Sequence, residues 1–304
     1  MDTSNWVTHC VGRYLITLPP SAKVELFSNI FGEEIKWRKD LTPDTARQEA
    51  QAEIEKLKAT PNKKKPMSMF IDSFELENGG ICIVHWKDTY SIALASLHCY
   101  FITPGDNARI FEFTHQFSPD RIQSARDKMI YLATTLRSRN DWDSLPTGPG
   151  FCFDGGISTH TGDWRSERAR ARITIPQYPR ITFRLMTWNS GAPDKPLLQG
   201  AEETTAQLLA VGIKVVRRGD VHIHDGTAQE RCLIDRTDTR HQPHYDFEMM
   251  LPEIPTELAH PYVDFKMYDD ADKYGEQESF RSDAEALGIW DAISRSIRLR
   301  PGAV

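Results

Sequence analysis

The alternation of apolar and polar positions predicts several strands in the first half of the chain. Tyr14, Ile16 and Leu18 share one face of the first strand, because side chains of a strand point alternately to its two sides. The following Pro19-Pro20 ends that strand, since proline cannot donate a ladder hydrogen bond. A second strand spans residues 22–37 with an interruption near Gly32, and further strands are predicted over residues 67–76, 80–86, 91–102 and 109–117.

Two helices are predicted among these strands. The first begins at Thr42-Pro43-Asp44, where threonine can cap the helix, proline suits its first position and aspartate suits the positive end of its dipole. Its apolar stripe recurs every three or four residues at Ala46, Ala50, Ile54 and Leu57. The second helix begins at Ser118-Pro119-Asp120 and is expected to run to about Arg139.

The second half of the chain repeats this order of elements. Residues 146–150 (Pro-Thr-Gly-Pro-Gly) form the strongest linker signal. Beyond them the pattern predicts helices over residues 202–211 and from about residue 282, and strands over residues 169–175, 180–188, 213–217, 221–224, 230–235, 245–251 and 263–268. Runs of strands with few helices favour an α+β fold of antiparallel sheets. We expect two similar domains, residues 1–146 and 147–304, as an internal duplication would produce.

Composition narrows the class of protein. The chain has 304 residues, of which 39% are hydrophobic and 26% charged, enough for a sizeable core and about two domains. Its 37 Lys and Arg against 43 Asp and Glu give a net charge of −6. This balance argues against a general nucleic-acid binder, which needs a surplus of cations. No apolar run approaches the roughly 18 residues of a membrane span, so no transmembrane segment is predicted.

Motifs of common catalytic and cofactor sites are absent from the sequence. It contains no Gly-x-Ser-x-Gly elbow, no phosphate-binding loop and no dinucleotide fingerprint. Cys152 could act as a nucleophile on a turn, but the flanking Phe151 and Phe153 favour a packed or bridged thiol at a strand edge. No catalytic residue and no cofactor site are therefore predicted, which favours a binding protein over an enzyme.

Histidines cluster between residues 222 and 244. His222 and His224 share a face of a predicted strand, a common arrangement for metal ligands. The other candidate ligands nearby are Asp235, His241, His244 and Asp246. A metal-dependent hydrolase is therefore the alternative function. Because Asp225-Gly226 places the histidine pair at a hairpin tip, solvated histidines are favoured and no metal site is predicted.

Two tryptophans with polar neighbours are candidates for contacts with a protein partner. Tryptophan and arginine are enriched at energetic hot spots of interfaces, which singles out Trp164-Arg165 and Trp188-Asn189. A tryptophan at a strand end packs into a core at least as often. One side of a strand is also lined by arginines at positions 165, 168, 170 and 172. They could meet an acidic partner, although a solvated sheet face is the favoured interpretation.

The cysteines leave the cellular compartment open. They are Cys10, Cys82, Cys99, Cys152 and Cys232, too widely spaced for a zinc knuckle or a disulfide-dense scaffold. One disulfide, for instance between Cys10 and Cys152, is compatible with an oxidising compartment. The first residues lack the features of a secretion signal, so either the protein is cytoplasmic or a leader has been trimmed.

Two segments resemble the signatures of one bacterial protein family. They are Cys-Val-Gly-Arg-Tyr-Leu-Ile-Thr-Leu-Pro, from Cys10, and Gly-Phe-Cys-Phe-Asp-Gly-Gly-Ile, from Gly150. Both are similar to segments of the class four immunity proteins of the type VI secretion system, which neutralise phospholipase toxins. The resemblance covers essentially the whole chain, and the second signature opens the C-terminal domain of the family.

This resemblance implies a non-enzymatic inhibitor in the periplasm, which requires that a leader has been trimmed. Its two domains are expected to form a claw around a groove, to clamp the lipase there and to hinder the opening of its lid. Cys10 and Cys152, one in each signature, become the pair to test for a disulfide. An adaptor within the secretion apparatus is a further alternative, which would bind delivery components in the absence of the lipase.

Overall fold

The computed structural model describes residues 2–139, 145–160, 167–189, 195–199, 201–224, 226–236, 243–269 and 280–304. The helices in these ranges are α1 Pro43–Ala59, α2 Ile122–Thr135, α3 Ala201–Ala210 and α4 Asp283–Ser294. The strands are β1 Val7–Val11, β2 Tyr14–Leu18, β3 Lys23–Ile30, β4 Glu33–Trp37, β5 Pro61–Asn62, β6 Met67–Ser68, β7 Phe70–Glu75, β8 Ile81–Asp88, β9 Ser91–Ile102, β10 Ile110–Phe117, β11 Leu136–Ser138, β12 Phe151–Phe153, β13 Gly156–Ser158, β14 Arg168–Thr174, β15 Ile181–Trp188, β16 Ile213–Ile223, β17 Gly226–Asp235, β18 His244–Leu251, β19 Tyr262–Asp269 and β20 Arg298–Leu299.

The chain divides into two compact units. The first unit consists of Met1–Phe27, Trp142–Pro149 and Thr161–Val304, and the second of Ser28–Asp141 and Gly150–His160. Each unit combines antiparallel strands with helices, which confirms the predicted α+β class. The division into domains 1–146 and 147–304, and their origin by duplication, stay predictions.

The main sheet of the first unit has the strand order β16-β17-β18-β19-β15-β14, and the neighbouring strands are antiparallel. Apolar residues alternate along these strands, so that Phe247 and Phe265 meet helix α4. Trp290 of α4 is fully buried, stacks on Phe265 with 5.0 Å between ring centroids, and donates from Nε1 to Glu230 over 2.8 Å. Helix α4 therefore covers one face of this sheet.

A smaller sheet of the first unit, β1-β2-β20, brings together strands from both ends of the chain. Between β1 and β2, Arg13 forms a bidentate pair with Glu167, with 2.9 Å from Nε to Oε2 and 2.7 Å from Nη2 to Oε1. The two side chains are 2% and 5% exposed. Arg13 also donates to the carbonyl oxygen of Ala303. These bonds satisfy a buried charge that would otherwise be costly.

The main sheet of the second unit has the order β4-β10-β9-β8-β7, and β3 adds Asn29 and Ile30 beside β4. Helix α1 packs its apolar stripe on this sheet. The cluster that they form contains Ala46, Ala50, Ile54, Ile83, Tyr100, Ile102 and Ile110. Cys82 and Cys99 lie directly opposite each other on β8 and β9 and form a disulfide.

Local sequence signals predicted most of the observed helices and strands, but pairing with neighbouring strands changed the bounds of a few. The predicted start of α1 is confirmed, with the Thr42 hydroxyl accepting from the Thr45 backbone over 3.2 Å. Helix α2 ends at Thr135 instead of about Arg139, because the following residues pair as β11 with β13. The two strands predicted over residues 213–224 are one continuous strand, β16, since β17 pairs along its whole length.

The segment from Gly150 contains a glycine that the packing requires. Gly155 has a φ of 72°, a conformation that favours glycine. A Cβ atom there would lie 2.5 Å from the Trp37 ring, and the Gly155 carbonyl accepts from Arg109 Nη1 over 2.8 Å. Residues 151–153 form the predicted strand, and all three side chains are buried. This part of the second signature therefore has a structural role in the second unit.

Candidate protein-binding surface

Strand β14 carries a row of arginines on the sheet of the first unit. Ala169, Ala171 and Ile173 are fully buried, and the residues between them point to the opposite side because the side-chain period of a strand is two. Those residues are Arg168, Arg170 and Arg172, of which the first two are exposed and the third is half-buried. The predicted arginine face is therefore present at these three positions. Arg165 lies outside the described residues.

Aromatic rings support the two exposed arginines. The Arg170 guanidinium carbon lies 4.5 Å from the centre of the Phe27 ring, and that of Arg168 lies 5.9 Å from the Trp188 ring. Within the described part of the chain, neither arginine has a carboxylate at ion-pair distance, whereas Arg172 meets Glu25 at 3.9 Å. We call Phe27, Arg168, Arg170, Arg172 and Trp188 the arginine patch.

A ladder of ion pairs continues across the same sheet. Arg184 meets Asp264 at 2.7 Å. Glu248 accepts from Lys266 at 2.5 Å and from Arg231 at 3.3 Å. Burial raises the pKa of Asp264, and the cations Lys266 and Arg184 oppose this effect. The charges of the ladder are thus compensated within the sheet, whereas no described carboxylate lies at ion-pair distance from Arg168 or Arg170.

The structure describes one of the two predicted tryptophan pairs, Trp188-Asn189. Trp188 is half-buried and packs on Tyr262 with 3.9 Å between ring centroids. Asn189 is only 8% exposed, and its backbone donates to the Glu167 carbonyl over 3.3 Å. Trp164 and Arg165 lie outside the described residues. Of the two predicted contact residues that the structure describes, Trp188 lies on the arginine patch, and partner contact by any of the four stays a prediction.

The histidine region is a hairpin of β16 and β17. His222 and His224 are exposed near its turn, and the His222 ring shares a hydrogen bond of 3.1 Å with the Thr227 hydroxyl. His241 lies outside the described residues. Where the chain is described, no group of three or more histidine, cysteine, aspartate or glutamate residues is arranged to hold a metal ion. Cys152, the candidate nucleophile, is fully buried.

A charged network links helix α1 to the sheet of the second unit. His98 of β9 donates from Nδ1 to Glu53 over 2.7 Å and from Nε2 to Glu112 over 2.8 Å. Burial alone would lower the pKa of His98, but the hydrogen bonds to Glu112 and Glu53 outweigh it and raise the pKa to about 9. The same bond lowers the pKa of Glu112 to about 2. His98 is therefore held as a cation between two carboxylates.

Carboxylates also surround Arg38, which follows β4. This arginine meets Asp40 at 2.8 Å, Glu49 at 3.1 Å and Glu112 at 3.1 Å. An open cavity of about 390 Å³ beside Glu112 is lined also by Glu33, Glu34, Lys36, Phe113, Thr114 and Gln116. This surface of the second unit is acidic, whereas the arginine patch of the first unit is basic.

Several of these contacts have no local signal in the sequence. Phe27 lies far from Arg170 along the chain, and only the pairing of strands brings the two side chains together. Likewise, Glu53 and Glu112 are 45 and 14 positions from His98. The alternation of arginines predicted the face and Trp188 was a separate candidate, but no local signal indicated that Trp188 and Phe27 lie beside these arginines.

These features define an α+β chain with an exposed arginine patch, whose described residues contain no metal cluster. None of the described helices is long and apolar enough to cross a membrane. Family models match nearly the whole chain: the N-terminal domain of Tle cognate immunity protein 4 at residues 7–140, and its C-terminal domain at residues 144–302. The chain belongs to the family of Tle cognate immunity protein 4. It is therefore an immunity protein and not an enzyme, and the metal-dependent hydrolase is excluded.

Solved structures agree with this assignment. The apo immunity protein TplEi of the type VI secretion system from Pseudomonas aeruginosa shares 24% identity, covers 99% of both chains and gives a TM-score of 0.89. A chain of the Tle4-Tli4 complex shares 25% identity over 99% of both chains, with a TM-score of 0.88. TplEi bound to an "L" peptide shares 23% identity over 99% of this chain and 100% of that chain, with a TM-score of 0.86. A comparison with curated proteins found no match.

Proposed function

We propose that this protein binds the cognate phospholipase effector of a type VI secretion system and inhibits it. Membership of the Tle cognate immunity protein 4 family, over residues 7–140 and 144–302, carries this proposal. A similar chain has been crystallised as the Tli4 partner of Tle4, which supports direct binding to the effector. The predicted absence of catalytic residues is consistent with inhibition by binding alone.

Inhibition is proposed to act on the lid of the lipase. A lipase must expose an apolar active site to reach phospholipid, so a protein that clamps the closed form shifts the equilibrium by its difference in affinity for the two forms. Immunity requires tight binding, and a Kd of about 1 nM corresponds to roughly −12 kcal/mol. An interface of about 1,600 Å² or more is then expected.

The proposed location is the periplasm. The disulfide between Cys82 and Cys99 supports it, because disulfides persist in oxidising compartments and are rare in the cytoplasm. The location is tested by lysing cells directly into denaturant with an alkylating agent, so that buried thiols also react, followed by mass spectrometry. Cys82 and Cys99 should be resistant to the reagent until a reductant is added. Two alkylated thiols without reduction would instead indicate the cytoplasm.

Co-expression tests the function. The lipase effector from the same bacterium is directed to the periplasm with and without this protein, and cell survival is measured beside co-purification and phospholipase activity in vitro. We expect survival, a stable complex and lost activity with the cognate lipase. An unrelated phospholipase serves as the control and should remain active. A lethal cognate toxin that does not co-purify would refute the proposal, and binding only to delivery components would indicate the adaptor instead.

A further inference from the structure

We propose that the arginine patch of the first unit binds an acidic segment on the surface of the lipase effector. This inference rests on the proposed function and adds the part of the surface that is used and the chemistry of its partner. The segment is expected to present carboxylates about 6 to 7 Å apart, because alternate residues of a strand are separated by about that distance.

The arginine patch carries positive charge that no described carboxylate of the chain compensates at Arg168 and Arg170. In the adjacent ladder, Arg184 and Lys266 each meet a carboxylate within 2.7 Å. Arg168 and Arg170 have no such partner among the residues that the structure describes, and both are exposed. The chain as a whole carries −6, so these cations are not part of a generally basic surface. An acidic partner would complement them.

The aromatic rings make this surface suitable for a protein. The guanidinium carbon of Arg170 lies 4.5 Å from the centre of the Phe27 ring and that of Arg168 lies 5.9 Å from the Trp188 ring, distances at which cation–π attraction favours holding each guanidinium over its ring. A held guanidinium presents its N–H edge to a carboxylate in two parallel hydrogen bonds, which is stronger and more specific than contact with a point charge. Tryptophan and arginine together are also the residues enriched at interface hot spots.

A protein partner is favoured over an anionic membrane or a nucleic acid. Glu25 lies beside Arg172 and is 63% exposed, so the edge of the arginine patch carries negative charge. Such a carboxylate would repel a continuous layer of phosphates, whereas a protein partner can place a cation or a neutral residue opposite it.

Charge reversal tests the arginine patch. The full chain is titrated with the lipase effector of the same bacterium, inactivated by replacing its nucleophilic serine with alanine. R168E/R170E should weaken binding about 30-fold or more. R168K/R170K keeps the charge but loses the two-bond geometry, so its loss should be about tenfold or less. K214E/R218E, at exposed positions of strand β16, changes the net charge equally and should bind within about twofold of the unchanged protein.

Each outcome decides between the alternatives. If the unchanged protein does not bind the lipase, the proposed function fails and this inference fails with it. If it binds but R168E/R170E binds equally well, the arginine patch is not the docking surface, and the proposed function stands. A variant that loses affinity only for phosphatidylglycerol vesicles would assign the surface to a membrane and overturn the inference. Circular dichroism and thermal unfolding of every variant confirm that the fold is retained.

The salt dependence of binding provides a second measurement. Ion pairs between exposed groups weaken with ionic strength. When NaCl is raised from about 50 to about 300 mM, the Kd of the unchanged protein should therefore rise more steeply than the Kd of R168E/R170E. Equal salt dependence of the two proteins would contradict direct contact between the arginine patch and carboxylates.

Discussion

Replacing His98 by glutamine should remove a pH-dependent contribution to the stability of the second unit. The His98 ring joins β9 to helix α1 through Glu53 and to β10 through Glu112, and its side chain is 15% exposed. In the unfolded chain both carboxylates move away, and the imidazole returns to its ordinary pKa. Folding stability then depends on pH wherever the folded and unfolded states bind different numbers of protons.

The size of this contribution follows from the pKa. Burial opposes the charged form of His98, but its hydrogen bonds to Glu112 and Glu53 raise the pKa from 6.5 to about 9. That rise corresponds to about 3 kcal/mol of unfolding free energy, at about 1.4 kcal/mol for a factor of ten. Below pH 6.5 the histidine is protonated in both states, and the contribution is complete. As the pH rises through 9 the folded state also loses the proton, and the contribution disappears.

Urea unfolding at about pH 6 and about pH 9.5 measures the effect. The difference in unfolding free energy between the unchanged protein and H98Q should be about 2 to 3 kcal/mol larger at the lower pH. Glu112, with its pKa lowered to about 2 by the His98 hydrogen bond, stays ionised across this window in the unchanged protein. The NMR titration of the His98 ring should show a midpoint near pH 9.

A surface pair provides the matched control. His260 and Glu257 lie 2.8 Å apart, close to the distances in the His98 network, but their side chains are 41% and 51% exposed. Exposed ion pairs contribute about 0 to 1 kcal/mol, so H260Q should have little effect. The reasoning is wrong if H98Q costs the same at both pH values, or if the ring of His98 titrates near pH 6.5.

Three further predictions concern buried groups. E167Q should cost about 3 to 5 kcal/mol in chemical unfolding, because it leaves the buried charge of Arg13 without its counter-ion; a loss below 1 kcal/mol would contradict this. W290A should cost about 3 to 5 kcal/mol in the same assay, since the side chain is fully buried. A tryptic digest of oxidised protein should contain a peptide that links Cys10 to Cys152, and separate unlinked peptides would exclude that disulfide.

Local patterns predicted elements but not their partners. The caps and apolar spacing located α1 because a helix start depends on a few adjacent residues. The end of α2 was wrong by several residues, since Leu136–Ser138 pairs with Gly156–Ser158, and that pairing overrides the local preference for a helix. The burial of Asn189, which is 8% exposed, is likewise decided by its surroundings and has no local signal in the sequence.

The sequence predicted which face of one strand carries the arginines, but not which side chains lie beside them. Alternation from Arg168 to Arg172 places three arginines on one face of a strand wherever that strand lies in the fold. Their role depends on what lies next to them, and the stacking of Arg170 on Phe27 arises because β3 is the neighbour of β14. The ionic partners of His98 are likewise supplied by a helix and a second strand, so no spacing in the sequence indicated its raised pKa.

The antiparallel α+β class, most of the elements and, through the two signatures, the family could all be predicted from the amino-acid sequence. These properties depend on side-chain periodicity, capping and short motifs, which are local and survive any arrangement of the elements. Three features could be read only from the folded chain: the packing of Met1–Phe27 with the C-terminal part of the chain, the pair of cysteines that face each other on β8 and β9, and the charges that are compensated. These features depend on contacts between residues that are distant in the sequence. Such contacts stabilise the protein only once the strands are paired in their final order and register.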